Sequence, residues 1–157
     1  MKIEFWCIGK TNEAYLQEGI DIYNKRIGRY ISYEMRIIPD VKASIKSSPL
    51  EIKKAEAQSI LKLLTDNDFL ILLDERGKVF SSIELSEQLN KWLQLSNKRL
   101  IFLVGGAWGF DDSIKKLSQA QLSLSKLTFS HQMIRLFFTE QLYRVFSILH
   151  HEPYHNE

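Results

Sequence analysis

At 157 residues, with 45% hydrophobic and 25% charged side chains, the chain has the size and composition of one soluble domain with a single core. A formal net charge of +2 neither demands nor forbids a nucleic-acid partner, because a local patch matters more than the total. The one cysteine, Cys7, excludes an internal disulfide and argues against a structural zinc site. The N-terminus enters a strand pattern without a signal peptide and no apolar run approaches a membrane span, so an intracellular, cytoplasmic protein is expected.

Ile3 to Ile8 reads as a first strand with Gly9 at its end, and Cys7 within it as a buried, inert thiol. From about Asn12 to Arg29, Tyr15, Leu16, Ile20, Tyr23 and Ile27 recur at helical spacing. The end of that helix carries the densest basic patch, Lys25, Arg26 and Arg29 among Tyr23 and Tyr30, which a solvated helix end explains equally well. A second strand spans Tyr33 to Ile38, and Val41 to Ser48 reads as a loop. Ser48-Pro49-Leu50-Glu51 is a helix start with an N-cap hydroxyl, an early proline and a glutamate three residues on, and Ser81 with Glu84 repeats the capping pattern. Between those helices, Phe69 to Leu73 forms a third strand closed by Asp74 to Lys78.

The stretch from Arg99 to Phe129 organises the rest. A buried strand, Leu100 to Val104, breaks into Gly105-Gly106-Ala107-Trp108-Gly109; a short helix near Asp112–Leu117 follows, then a fifth strand near Leu122 within an apolar run reaching Phe129. The longest helix runs from His131 to about Leu149, with Glu140, Arg144, Ser147 and His151 as its polar stripe. Strands alternating with helices imply a single α/β domain with a mostly parallel sheet flanked by helices.

Glycines at a strand end let a ligand approach the backbone closely, although a tight strand-to-helix turn uses them as well. Their spacing is neither the dinucleotide fingerprint nor a phosphate-binding P-loop. If the strands ending at Leu73 and near Leu122 lie beside the glycine strand, three strand ends converge, with Leu73, Leu124, Leu127 and Phe129 as apolar walls. Read singly, Arg144 is explained by an ion pair with Glu140 one turn earlier, and the histidines near the C-terminus fit no zinc motif.

Taken together, Gly105-Gly106-x-x-Gly109, Leu124 to Phe129, His131-Gln132-Met133-x-Arg135, Glu140-Gln141-Leu142-Tyr143-Arg144 and Pro153-Tyr154-His155 resemble the ribosomal RNA large-subunit methyltransferase H family, small members of the SPOUT class. The resemblance covers the whole chain and departs at Ser130, where the family usually has proline; serine is itself a good N-cap. It implies a C-terminal trefoil knot, with knot and S-adenosylmethionine site in about residues 70–157, a homodimer, and methylation of N3 of a pseudouridine in large-subunit rRNA without a metal. Carried over by position, the cofactor contacts would be Leu73, Gly105, Gly106, Gly109, Leu124, Ser125, Lys126, Leu127, Thr128 and Phe129.

A pseudouridine N3 carries a proton near neutrality, so methylating it requires a group that shares or removes the proton and donors for the charge developing on the ring. Tyr154 and His155 are expected to handle that proton or to position the base, folding back over the glycine crevice, and Arg144 is expected to hold phosphate or the anionic ring. Arg26, Arg29, Arg135 or Arg144 are expected to make phosphate contacts. The rival reading is a non-catalytic RNA- or nucleotide-binding module on the same fold, against which the intact glycines, Tyr154 and His155 count.

Overall fold

The structure, a computed structural model, describes residues 1–42 and 47–156. In chain order it has β1 (Lys2–Ile8), α1 (Ala14–Ile27), β2 (Tyr33–Ile38), α2 (Pro49–Leu61), β3 (Asp68–Val79), α3 (Ser82–Leu93), β4 (Arg99–Val104), α4 (Asp112–Leu117), β5 (Ala120–Ser123) and α5 (Met133–Leu149). The loop expected over 41–48 falls largely on residues 43–46, outside the described residues. The five strands form one sheet in the order β2-β1-β4-β3-β5, and every pairing is parallel.

Alternation along the strands sorts the core onto two faces. Phe5, Cys7, Leu100, Phe102 and Val104 point to the side covered by α3 and α5, where Leu89, Phe138 and Val145 meet them. Trp6, Ile8, Ile101 and Leu103 point to the other side, against Ala57 and Ile60 of α2 and Ile114 of α4. Cys7 is buried, and burial pushes its thiol up to about 12, so it stays protonated and inert as expected.

Both sequence-read capping boxes are present. The Glu51 amide donates to Ser48 Oγ at 3.2 Å while the Ser48 amide donates to Glu51 Oε2 at 3.3 Å, and Ser81 and Glu84 repeat the exchange at 3.2 and 2.7 Å. A cap of this kind contributes about 1 kcal/mol.

Three expectations need correction. β3 does not end at Leu73: after Asp74 to Gly77 the chain rejoins β5, so that Leu73 and Lys78 both register with Leu122. Gly77 makes this possible, because a Cβ there would stand 2.6 Å from the Gln121 backbone. The apolar run after Leu122 leaves the sheet at Ser123, since the Ser123 hydroxyl donates to the Ser125 carbonyl at 2.7 Å and Ser125 Oγ accepts the Leu127 amide at 3.0 Å. Ser147 is buried rather than part of a polar stripe, its hydroxyl donating to the Arg144 carbonyl at 2.7 Å.

The register brings the functional rim together. Cys7 pairs with Val104, and Val104 with Leu73, so the ends of β1 and β4 lie level with the point where β3 bulges away at Asp74. β5 lies beside β3, one strand removed from the glycine strand.

Candidate active site

A cleft of about 410 Å³ opens at this rim. Its floor is Leu73, Val104 and Gly105, where β4 stops and β3 bulges away beside it. The first wall is the turn Gly106-Ala107-Trp108-Gly109, closed by the Gly109 amide donating to the Gly106 carbonyl at 3.1 Å, with Gly109 at φ +79°. That positive φ, and not close approach, explains glycine at 109, because a Cβ there would meet nothing within 4 Å. At Gly105 the space is tight: a Cβ would stand 3.2 Å from Phe110 Cε1 and 3.3 Å from the Gly109 backbone.

Gly106 is dictated from below. A Cβ at this position would fall 2.4 Å from Glu56 Oε1 of α2, and the Gly106 amide donates to that buried carboxylate. Burial, followed by the neighbouring Asp40 carboxylate, pushes Glu56 up to about 7, while the Gly106 hydrogen bond pulls the other way. The glycine turn thus rests on a carboxyl group whose burial favours its protonated form.

The second wall is Leu124, Ser125, Leu127, Thr128 and Phe129, continued by Ser130 and His131 into the start of α5. Ser130 fills the capping role the sequence suggested, its Oγ accepting the Met133 amide at 3.0 Å. Lys126 alone of the proposed cofactor contacts is not on the lining. The third wall, the Asp74-Glu75-Arg76 excursion of β3, was read from sequence only as a strand end. The Thr128 hydroxyl donates to Glu75 Oε2 at 2.6 Å and links it to the second wall. Trp108, 55% exposed at the mouth, was also missed; an unburied tryptophan beside glycines was the available signal.

Tyr154, His155 and Arg144 come together, but not in this cleft. The Tyr154 hydroxyl donates to Glu140 Oε1 at 2.9 Å, and Arg144 donates to the same oxygen through Nη2 at 2.6 Å and Nε at 3.1 Å. The Arg144 guanidinium lies 4.7 Å from the Tyr154 ring centroid, and its Nη1 is 3.3 Å from His155 Nδ1. Along α5, Glu140 and Arg144 lie roughly 9 and 15 Å beyond Ile134, the last helical residue on the cleft. The expectation that the tail closes over its own crevice is therefore not met: it packs on α1 and α5, with the Tyr154 hydroxyl 3.5 Å from that of Tyr23. Burial, then Tyr23 and Glu140, raise Tyr154 above the ordinary phenol value, so it is a hydrogen-bond donor at neutral pH and not a phenolate base.

Arg135 also departs from expectation. It is fully buried, with no surface to offer a phosphate. Arg26 stacks on Tyr23 and Tyr143, with its guanidinium 5.6 and 5.3 Å from their ring centroids, so the basic patch is a built aromatic–cationic surface and not only a solvated helix end. Among the described residues, no three His, Cys, Asp or Glu side chains gather as metal ligands, and no helix is long and apolar enough to cross a membrane.

A glycine-floored cleft at the level ends of parallel strands is where α/β proteins take nucleotide-like ligands, and comparison with known proteins gives the class. A family model described as "predicted SPOUT methyltransferase" matches residues 1–155, and the chain belongs to the SPOUT methyltransferase family. It is 48% identical over 157 residues to the ribosomal RNA large subunit methyltransferase H of Parabacteroides distasonis, and 49% identical over 157 residues to that of Flavobacterium johnsoniae, covering 100% of both chains in each case. Among solved structures it is similar, with a TM-score of 0.51 and 14% identity, to a probable methylase family protein from Haemophilus influenzae, over 95% of this chain and 66% of that one. This chain thus spans about two-thirds of that structure's length, and the likeness is one of fold.

Proposed function

We propose that this chain is an S-adenosylmethionine-dependent methyltransferase of large-subunit rRNA, acting at N3 of a pseudouridine, and that it works as a homodimer. The observation that carries the reading is the cleft. Its glycine floor leaves the backbone open, Leu73, Leu122, Leu124, Phe110 and Phe129 supply apolar walls for a nucleoside, and Asp74 and Glu75 offer negative charge to a cationic ligand. Those features fit S-adenosylmethionine, held by Leu73, Gly105, Gly106, Gly109 and the 124–129 wall. The full-length likeness to rRNA methyltransferases supplies the substrate class. The trefoil knot within about residues 70–157 belongs to the same proposal and rests on family membership.

When bound, the cofactor supplies an electrophilic methyl group on a sulfonium whose departure leaves a neutral thioether. The chain's own residues must deal with the acceptor. N3 must give up its proton, to water, before it can accept a methyl group, and until the methyl arrives the resulting negative charge is shared with the ring carbonyls. Arg144 is permanently cationic, and Tyr154 is held protonated with its hydroxyl hydrogen given to Glu140; the spare guanidinium N–H groups, held in place by Glu140 and the phenol ring, are the donors for that charge. Because a guanidinium nitrogen only donates, His155 Nδ1 accepts from Arg144 Nη1 and helps to orient it. The sequence assigned Tyr154 and His155 to handling the proton or positioning the base; in this reading they support Arg144, which stabilises the anion.

The place of this cluster supports the homodimer reading. Tyr154, Arg144 and His155 do not line their own cleft, and a second copy seated on α1 and α5 would bring them to its neighbour's. Phe137, 45% exposed, touches Phe129 of the cleft wall with ring centroids 5.0 Å apart and lies one turn from Glu140. Tyr15 and Ile22 are exposed two turns apart on α1. Exposed apolar side chains on both helices are what an interface over α1 and α5 would cover.

The test is calorimetric. Wild-type protein should bind S-adenosylmethionine with one site per chain, and Gly105→Leu, which fills the floor, should abolish binding with the circular-dichroism spectrum retained. Unchanged affinity in the variant would overturn the placement.

A further inference from the structure

Among the described residues, the buried Arg135 pairs with no carboxylate. Its Nη2 donates to the Ile8 carbonyl at 2.7 Å, its Nη1 to the Gly9 carbonyl at 2.8 Å and to Thr11 Oγ1 at 3.2 Å, and its Nε to the His131 carbonyl at 3.1 Å. One residue before the helix, Gln132 repeats the link: its Oε1 accepts the Asn12 amide at 2.9 Å, and its Nε2 donates to the Lys10 carbonyl at 3.1 Å. Five hydrogen bonds from two side chains therefore join the start of α5 to the segment leaving β1, and a sixth ties Arg135 to His131 on the cleft.

An apolar side chain of similar volume would stabilise a buried position at least as well, since desolvating a charge is costly. What a guanidinium adds is direction: five donors in a fixed fork set the distance between chosen carbonyls. The beneficiary is legible from the path of the chain. The 124–131 wall is anchored at one end by β5, which lies at the sheet edge, and at the other only by the start of α5. Between these anchors the wall is held by short side-chain bonds such as Thr128 to Glu75.

We propose that Arg135 and Gln132 are positioning residues of the methyl-transfer site, clamping α5 to the end of β1 so that the 124–131 wall keeps the spacing a bound cofactor requires. The inference rests on the reading of the cleft as the S-adenosylmethionine site. It predicts an effect on cofactor affinity larger than any effect on folding, because the clamp fixes one wall of the cleft while both core faces remain packed.

The experiment compares Gln132→Ala, Arg135→Lys and Arg135→Met with Arg99→Lys, a control at the opposite rim of the sheet, where Arg99 pairs with Asp68 at 2.6 Å. S-adenosylmethionine affinity is measured by calorimetry, stability by denaturant unfolding, and KM and kcat by methyl transfer to large ribosomal subunits. Gln132→Ala should raise Kd and the cofactor KM about tenfold with a smaller change in kcat, Arg135→Met should raise them further, and Arg135→Lys should recover part of the loss. Arg99→Lys should lose stability with Kd within twofold of wild type. If Gln132→Ala and Arg135→Lys bind as tightly as wild type, or if Arg99→Lys loses affinity in proportion to stability, the positioning role is overturned. If wild type itself fails to bind, the reading of the cleft fails instead, a distinguishable outcome.

Discussion

Tyr154 donates its hydroxyl hydrogen to Glu140 across 2.9 Å, and the carboxylate oxygen that accepts it is the one Arg144 also holds. Glu140 is thereby a scaffold rather than a free base. It fixes a phenol and a guanidinium side by side on α5, presented away from the cleft of their own chain.

Tyr154→Phe should keep the ring contact with Arg144 but lose the donor. We expect roughly a 100-fold fall in methyl-transfer kcat, with S-adenosylmethionine affinity within twofold of wild type because Tyr154 does not line the cleft. Single-turnover kinetics with calorimetry on the same variant checks both. An equal loss of cofactor affinity would place the tail in its own cleft. Removing residues 154–157 should have the same effect, and mixing that truncated chain with a Gly105→Leu chain should restore activity in heterodimers, since each lacks a different half.

Glu56 gives a pH dependence with a definite sign. Its carboxyl is raised in the folded state from an ordinary value of 4.5 to about 7. The folded chain therefore binds a proton in this window that the unfolded chain releases, so stability is greatest at the acid end and falls as pH rises from about 4.5 to 7. The contribution is on the order of 1–3 kcal/mol. Glu56→Gln, which keeps an acceptor for the Gly106 amide, should remove that part of the slope. Denaturant titrations at pH 5 and pH 7.5 provide the measurement, and an unchanged slope in the variant would show that Glu56 titrates normally.

The fold was legible where local rules and tertiary packing agree. The two capping boxes, the alternation of Phe5, Trp6 and Cys7 between faces, and glycines at the end of β4 are each set by a few neighbouring residues. Leu73 beside the glycine strand was a sound inference, because parallel strands joined by helices tend to end level. Arg135 was illegible for the opposite reason: a charged residue in a helix reads as surface, and only the carbonyls of Ile8 and Gly9, far away in sequence, reveal that its place is inside. The Asp74–Gly77 excursion was hidden because its turn residues resemble a strand end, and the rejoining partner is β5. The tail's position depends on Glu140 and Tyr23, which no spacing argument joins to Tyr154.

Gly77 should be intolerant of any side chain. Alanine there would put Cβ 2.6 Å from backbone, and neither β3 nor β5 can yield without losing ladder bonds. Gly77→Ala should destabilise the protein by roughly 2–3 kcal/mol, read as a lower denaturation midpoint. A midpoint unchanged from wild type would mean that β5 is not held against β3 as described.

Binding to rRNA should weaken steeply with salt, and the arginines should separate by exposure. Arg29→Ala, an exposed residue at the end of α1, should reduce the slope of log K against log salt by about one phosphate contact, ~0.7–0.9 units. Arg135→Lys should leave the slope unchanged because residue 135 is buried. Filter binding from low to moderate salt distinguishes the two, and a slope that falls for Arg135→Lys would mean that α5 opens on the RNA.

The central claim is tested most directly by incubating the protein with methyl-labelled S-adenosylmethionine and large ribosomal subunits, then digesting the rRNA and identifying the labelled nucleoside by mass spectrometry. The account predicts label in large-subunit rRNA as N3-methylpseudouridine, approaching one methyl per subunit, and none with Gly105→Leu. Label in another nucleoside would contradict the assigned chemistry, and no label from protein that binds the cofactor would contradict the enzyme itself.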